Sequence, residues 1–209
     1  MPLLVPQERA SFLREYANGS YGVGLYYWAK SLSELPFNIL FPIIFGTISY
    51  WLVGLRVDAG AFFTNMAAII VVSNVAQSVG LIVSVGLDIE QAITLFPVVN
   101  IPAMLVGGLF LLVTDIPNWF IWLKFLSWFF YCFMALLINE FQDSTFYCTS
   151  GQLVDGVCPL TTGEDVINAY GFSSYEIWIG FLGMVGLYFL IRLLALFALW
   201  VLAKRRSAT

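Results

Sequence analysis

Trp119–Ile138 reads WFIWLKFLSWFFYCFMALLI. The stretch is long enough to cross a hydrocarbon core, for which roughly 20 apolar residues suffice. Yet Lys124 and Ser127 stand near its middle, and a true crossing would bury that ammonium at a cost of about 3 kcal/mol. Counting it as a crossing also breaks the topology of the rest of the chain. The reading of this one segment decides the fold.

The 209 residues are 60% hydrophobic and 11% charged, with a mean hydropathy of +0.88, too apolar for a water-soluble domain of this length. Five stretches have spanning length or nearly so: Leu35–Leu55, Gly60–Leu87, Ala92–Val113, Trp119–Ile138 and Ile177–Ala203. The composition predicts an all-α polytopic membrane protein. Glu8, Arg9, Arg14 and Glu15 stand where a cleavable signal peptide would be apolar, so no signal peptide is expected. With no histidine and three scattered cysteines, a zinc site is not expected. No Walker A, GxSxG or HExxH pattern occurs, so this chain is not expected to be an enzyme.

In chain order, Pro6–Ala17 reads as a short amphipathic helix, with Phe12, Leu13 and Tyr16 on one side and Glu8, Arg9 and Glu15 elsewhere. It suits either a helix lying on the membrane surface or a docking element for a cytoplasmic partner. Asn18-Gly19-Ser20 fits a glycosylation sequon, which has no meaning on a cytoplasmic face. Pro36 and Pro42 predict a kink near the start of the first span. In the second, Ala76, Gly80 and Ser84 form a small-residue stripe, while Asn65, Asn74 and Gln77 need partners inside the bundle, as interhelical glue or along a transport path. The third span carries Pro97, Asn100, Pro102 and Gly107-Gly108 before Leu109-Phe110, which fits a cavity wall or a kinked packing helix. Ser173 and Glu176 have capping-box spacing before the last span, where Gly180, Gly183 and Gly186 give a smooth face. Arg192, inside that span, suits either a structural pairing or a functional role.

Lys204, Arg205 and Arg206 place the C-terminus in the cytoplasm, and Arg9, Arg14 and Lys30 place the N-terminal stretch there too. Both ends on one side demand an even number of crossings, whereas hydropathy offers five. Cys148 and Cys158 enclose the polar run TSGQLVDGV, compatible with a closed ring in an oxidising compartment. With that loop outside, Trp119–Ile138 cannot cross. A bent pair of half-helices would then let Lys124 reach the outer interface, and Thr161 with Glu164 would cap a short outer helix ending at Gly171. Free thiols in a cytoplasmic loop are the alternative, which strands Arg9, Arg14 and Lys30 on the wrong side. Cys132 reads as a buried small hydrophobe.

The ordered set PQERASFLREYANGSY, ELP before a span, GGL in the penultimate span, WFIWL, ALLINEF, the cysteine loop, TTGE and RLLALFALWVLAKRR resembles the White (G) subfamily of ABC half-transporters over nearly the whole chain. Members of that subfamily join a cytoplasmic nucleotide-binding domain to six transmembrane helices and dimerise around a central cavity. The resemblance implies that residues 1–209 are part of an ABC-2 type transmembrane domain matching the last four helices. Residues 1–34 would be cytoplasmic coupling and connecting helices; 35–55, 60–87, 92–113 and 177–203 transmembrane helices; and 114–176 a re-entrant segment and extracellular loop. ATP and Mg would belong to a nucleotide-binding domain outside this chain, which is therefore expected to be a piece of a larger unit. Glu8, Arg9 and Glu15 would mark the coupling helix, Asn100, Ile101 and Met104 the substrate path, Leu109 and Phe110 an apolar plug, and Cys148 with Cys158 the outer disulfide. The implied function is ATP-driven export of lipophilic or sterol-like compounds, most readily at the plasma membrane, with a second half-transporter as partner. A truncated, non-transporting subunit that regulates a full half-transporter is the competing expectation. An ungated channel is disfavoured, because no ring-forming charges line a continuous span.

Overall fold

The computed structural model describes residues 11–12, 14–16, 18–85, 87–112, 117, 119–147 and 161–207. Besides the helical residues 11–12 and 14–16, these form α1 (Val23–Val53), α2 (Ala59–Val85), α3 (Ile89–Leu105), α4 (Trp128–Phe141), α5 (Gly163–Ala169) and α6 (Ile177–Ser207), with a 3-10 turn at Ile121–Leu126 before α4. Helices α1, α2 and α6 are long and apolar enough to cross a membrane; α3 and α4 are shorter apolar helices.

Helix α1 begins at Val23, twelve residues before the expected span at Leu35, and runs unbroken through Pro36 and Pro42. It stops where Gly54 turns left-handed (φ 72°) and donates its N–H to the Tyr50 carbonyl, a conformation glycine adopts at no steric cost. The Asp58 carboxylate then caps α2 by accepting from Ala61 N at 2.9 Å. At the other end of α2, Asp88 and Gln91 form a capping box that starts α3.

The third apolar stretch does not stay helical to Val113. Helix α3 ends at Leu105, because Gly108 adopts φ 89° and breaks the spiral. Its 17 residues rise about 25 Å. The fourth stretch is not one helix either. Ser127 is extended (φ −84°, ψ 117°) and splits a six-residue 3-10 turn from the 14-residue α4. Its hydroxyl caps α4 by accepting from Phe130 N at 3.3 Å and donates to the Ala103 carbonyl at 2.6 Å. That bond sets the start of α4 beside the end of α3. The excursion over residues 106–126 thus starts and finishes beside this contact.

Helix α2 is the central element, touching α1, α3, α4 and α6. Of its most apolar window 44% is buried, against 17% in α1 and in α6. Trp128 packs on Val75 and Val79, and Cys132 with Ala135 on Ala68 and Met184. Asn139 donates to the Ala61 carbonyl at 2.9 Å, so α4 climbs α2 to the α1–α2 turn. Of the three glycines in α6, a Cβ on Gly183 would sit 2.3 Å from the Tyr131 ring and one on Gly180 3.0 Å from Ala135, while Gly186 faces open space. The smooth face is thus used over its first half, against α4.

Helix α5 starts one residue later than its expected cap. Thr162 and Asp165, not Thr161 and Glu164, form the capping box. Beside it the two described flanks of the cysteine loop meet: Gly163 N donates to Ser144 O at 2.7 Å and Phe146 N to Thr161 O at 2.9 Å, around a Thr145–Thr162 bridge.

Candidate functional site

At the end of the bundle where α1 begins, Phe12 is 2% exposed. It packs into a cluster with Val23, Tyr27, Leu81, Val85, Leu199 and Ala203, which joins α1, α2 and α6. Its ring stacks on Tyr26 at 4.2 Å and on Tyr16 at 6.1 Å. Residues 11–16, helical where described, are thereby pinned to three helices at once. Glu15 is exposed, and its carboxylate accepts from the Tyr21 hydroxyl. Glu8 and Arg9 lie outside the described residues, as do Cys148 and Cys158.

Above this anchor lies a buried polar junction. Glu34 is 5% exposed; one carboxylate oxygen accepts from Gln77 Nε2 and the other lies 3.6 Å from the Lys30 ammonium. Gln77 in turn accepts from Asn38. Beside them Arg192 donates to Ser31 Oγ at 2.7 Å and stands over the rings of Tyr27 (5.9 Å) and Tyr188 (5.3 Å). The Tyr27 hydroxyl donates to the Arg192 carbonyl at 3.1 Å. Arg192 thus pairs with the neighbouring helix, and the Gln77 amide bridges α1 and α2. Asn74 instead bonds the Ile70 carbonyl of its own helix at 2.8 Å.

Helix α3 has two unlike faces. At about 100° per residue, Val99, Pro102 and Ala103 fall together, and they share a cleft with Leu123, Leu126, Ser127 and Trp128. Asn100, Ile101 and Met104 fall on the opposite side. Ile101 is 51% exposed, while Asn100 and Met104 are half-buried. Asn100 Nδ2 bonds the Phe96 carbonyl at 2.8 Å, one turn back in a helix where Pro97 and Pro102 remove two backbone donors. Leu109 and Phe110 are exposed, just past the Gly107-Gly108 break.

Lys124, expected to reach the outer interface, is covered by the protein's own aromatic rings. It is buried at 7% exposure, with its ammonium over the rings of Phe125 (5.0 Å) and Phe130 (5.6 Å). Aromatic faces replace the water that a snorkelling lysine would seek. Its neighbours Trp119 and Trp122 are exposed. Farther up, the α1–α2 turn is latched to the end of α4: Arg56 N donates to Glu140 Oε1 and its guanidinium to the Gln142 carbonyl, both at 2.9 Å. Cys132 is a free, buried cysteine packed among Ala68, Ala135 and Met184.

Residues 1–141 match the family model for the ABC-2 type transporter. The chain belongs to that family. Among curated proteins it is 35% identical to Protein white of Ceratitis capitata over 200 residues, which cover 94% of this chain and 29% of that protein. It is 34% identical to Protein scarlet of Drosophila melanogaster over 203 residues, covering 97% of this chain and 30% of that protein. It is also 31% identical to ABC transporter G family member 1 of Dictyostelium discoideum over 172 residues, covering 80% of this chain and 22% of that protein. The chain is a G-subfamily ABC-2 domain and an integral, multi-pass membrane protein, and it spans less than a third of the length of these relatives.

Within this ABC-2 domain, the matched residues end at Phe141, the last residue of α4. Asn100, Ile101 and Met104 are brought to one helix face, and Leu109 and Phe110 to the excursion beyond it. The structure gives Phe12, Lys30, Glu34 and Asn38 anchoring or cross-linking roles that sequence reasoning did not assign them. The signal for the pair was the i,i+4 spacing of Lys30 and Glu34, hidden by starting the first span at Leu35.

Proposed function

We propose that this domain is the membrane-spanning part of an ATP-driven exporter that moves lipophilic or sterol-like compounds by alternating access. The carrying observation is the two-faced α3. Val99, Pro102 and Ala103 line a cleft with Leu123, Leu126, Ser127 and Trp128, and Asn100, Ile101 and Met104 fall on the side of the helix turned away from it. A second half-transporter, identical or different, supplies the opposite wall of the path. Leu109 and Phe110 form an apolar plug at the end of α3, which seals against ions without binding charge. A nucleotide-binding domain holding ATP and Mg moves the coupling helix, with Glu8, Arg9 and Glu15 as its polar contacts and Phe12 carrying the motion into α1, α2 and α6.

The topology that fits this role has four crossings, a re-entrant excursion over residues 106–126 and an outer loop closed by Cys148 and Cys158. The shared depth of Ala103 and Ser127 supports the re-entrant reading, and the Thr145–Thr162 bridge supports a loop closed at its base. The plasma membrane is the site we favour.

The test is ATP-dependent uptake of a labelled sterol into inside-out vesicles carrying the complete transporter. Replacing Asn100 with Leu and, separately, Leu109 and Phe110 together with Ala should lower net transport. Unchanged transport in both variants overturns the path. Thiol labelling of Cys148 and Cys158 from outside intact cells should appear only after reduction; labelling without it refutes the disulfide.

A further inference from the structure

We infer that the first turns of α3 form a cation-selecting entry to the path, where Glu90 receives the positively charged group of a lipophilic cargo molecule and turns lipophilic anions away. The inference rests on the path proposed along α3 and narrows its cargo. Leu87, Glu90, Gln91, Thr94, Leu95 and Val98 line an open groove of about 570 Å³, a volume usual for a small-molecule site.

The groove lies on the same strip of α3 as Ile101. At about 100° per residue, Glu90 and Thr94 fall within about 20° of Ile101, one on each side, and about 16 Å of helix separates Glu90 from it. Thr94 and Val98 are exposed between them, so the strip runs open from the groove to the path. Val85, just before the turn into α3, packs in the Phe12 cluster. The groove therefore opens at the end of the bundle that Arg14, Lys30 and Lys204 assign to the cytoplasm.

Charge commits the groove to a cation. Glu90 is the only charged residue from Ile89 to Leu105. From Val57 to Leu123 the chain contains no lysine or arginine, so neither α2 nor α3 brings a positive charge to the groove. Glu90 is exposed, and among the described residues no basic side chain pairs with it. The helix dipole favours a carboxylate in a first turn, but Asp88 and Gln91 already cap α3. An open carboxylate among Leu87, Leu95 and Val98 fits a molecule with an apolar body and one ammonium, and it repels an anion.

Equilibrium binding without ATP, to the complete transporter in nanodiscs, tests this with two sterols alike except for a side-chain ammonium in one and a hydroxyl in the other. The unaltered protein should bind the ammonium sterol several-fold more tightly. Glu90→Gln should weaken the ammonium sterol several-fold and leave the hydroxyl sterol unchanged. Glu164→Gln, which removes an exposed carboxylate at the other end of the bundle, should change neither. Should Glu90→Gln fail to fold, Thr94→Lys sets a positive charge one turn farther along the groove and should repel the ammonium sterol alone. Equal binding of the two sterols by the unaltered protein overturns the inference, as does a preference that survives Glu90→Gln. An equal loss of both sterols in Glu90→Gln overturns it too, because lipid or the second half-transporter then fills the groove. Binding is read without ATP, so a missing ATP-driven uptake beside an intact ammonium preference sinks the exporter reading alone.

Discussion

Phe12 and Trp122 are both large aromatic residues on short elements flanking the long helices, and the structure treats them in opposite ways. Phe12 is buried at the meeting of three helices, whereas Trp122 is 60% exposed on the excursion between α3 and α4. Their charged neighbours differ in the same sense. At the Phe12 end, Glu34, Gln77 and Arg192 bond across helices and Lys30 pairs with Glu34 within α1. In the excursion, the Lys124 ammonium meets, among the described residues, the rings of Phe125 and Phe130 at 5.0 and 5.6 Å. One end of the bundle is cross-linked by directional bonds and suits the transmission of a push. The other is padded with aromatic surface and suits sliding against lipid or a second subunit.

Removing the anchor should have the largest effect. Phe12→Ala is expected to destabilise the domain by about 3–5 kcal/mol, the usual cost of deleting a buried phenylalanine. Trp122→Ala should stay within about 0.5 kcal/mol, as surface substitutions do. Thermal unfolding of the complete transporter in nanodiscs reads both. Equal losses would break the contrast between the two ends.

Next in size is the polar bridge. Gln77→Leu keeps the volume of the side chain but takes the donor from Glu34 and the acceptor from Asn38. Each group left unsatisfied costs about 1–3 kcal/mol. Gln77→Glu sets a second carboxylate against Glu34 and should be worse still. If Gln77→Leu unfolds no earlier than the unaltered protein, the junction is not cross-linked in the way its bonds suggest. In the excursion, Lys124→Met should change stability by less than about 1 kcal/mol. A cation–π contact of about 0.5–2 kcal/mol is lost, and the desolvation of an ammonium is relieved at the same time. A large loss would mean that Lys124 has a partner of opposite charge in the assembled transporter.

Much of this architecture is legible in residue order. The apolar stretches locate α1, α2 and α6, and Lys124 with Ser127 marks where Trp119–Ile138 cannot be a single helix. What escapes the sequence is depth. Nothing in the run Ala92–Val113 says that the helix stops at Leu105, since Gly107-Gly108 is compatible with close packing as well as with a break. Only the structure sets the start of α4 beside the end of α3, through the Ser127–Ala103 bond. The candidate path on α3 was legible because Pro97, Asn100 and Pro102 are unusual together. The Glu34 junction was not, because hydropathy averages a buried ion pair into the polar flank of a helix that in fact begins at Val23.

The smallest predicted effect lies at the start of α5 and depends on pH. The Asp165 carboxylate accepts from the backbone N–H of Thr162 and Thr161, and the Thr161 hydroxyl adds a third bond. These bonds favour the charged form and hold Asp165 below the ordinary aspartate value of 3.8. A carboxylate whose pKa falls on folding adds stability above its unfolded pKa and loses it as pH drops through the lower folded value. The base of the loop should therefore keep its order at neutral and mildly acidic pH and open only below the usual carboxylate range. Amide exchange at Thr161 and Thr162, followed down a pH series, should show protection lost in that window after correction for the intrinsic rate. Asp165→Asn should lower the protection at neutral pH and flatten the profile, while exchange around Phe12 stays unchanged. A parallel loss around Phe12 would mean that the two ends open together, and the contrast between a rigid junction and a separately capped outer loop would fall.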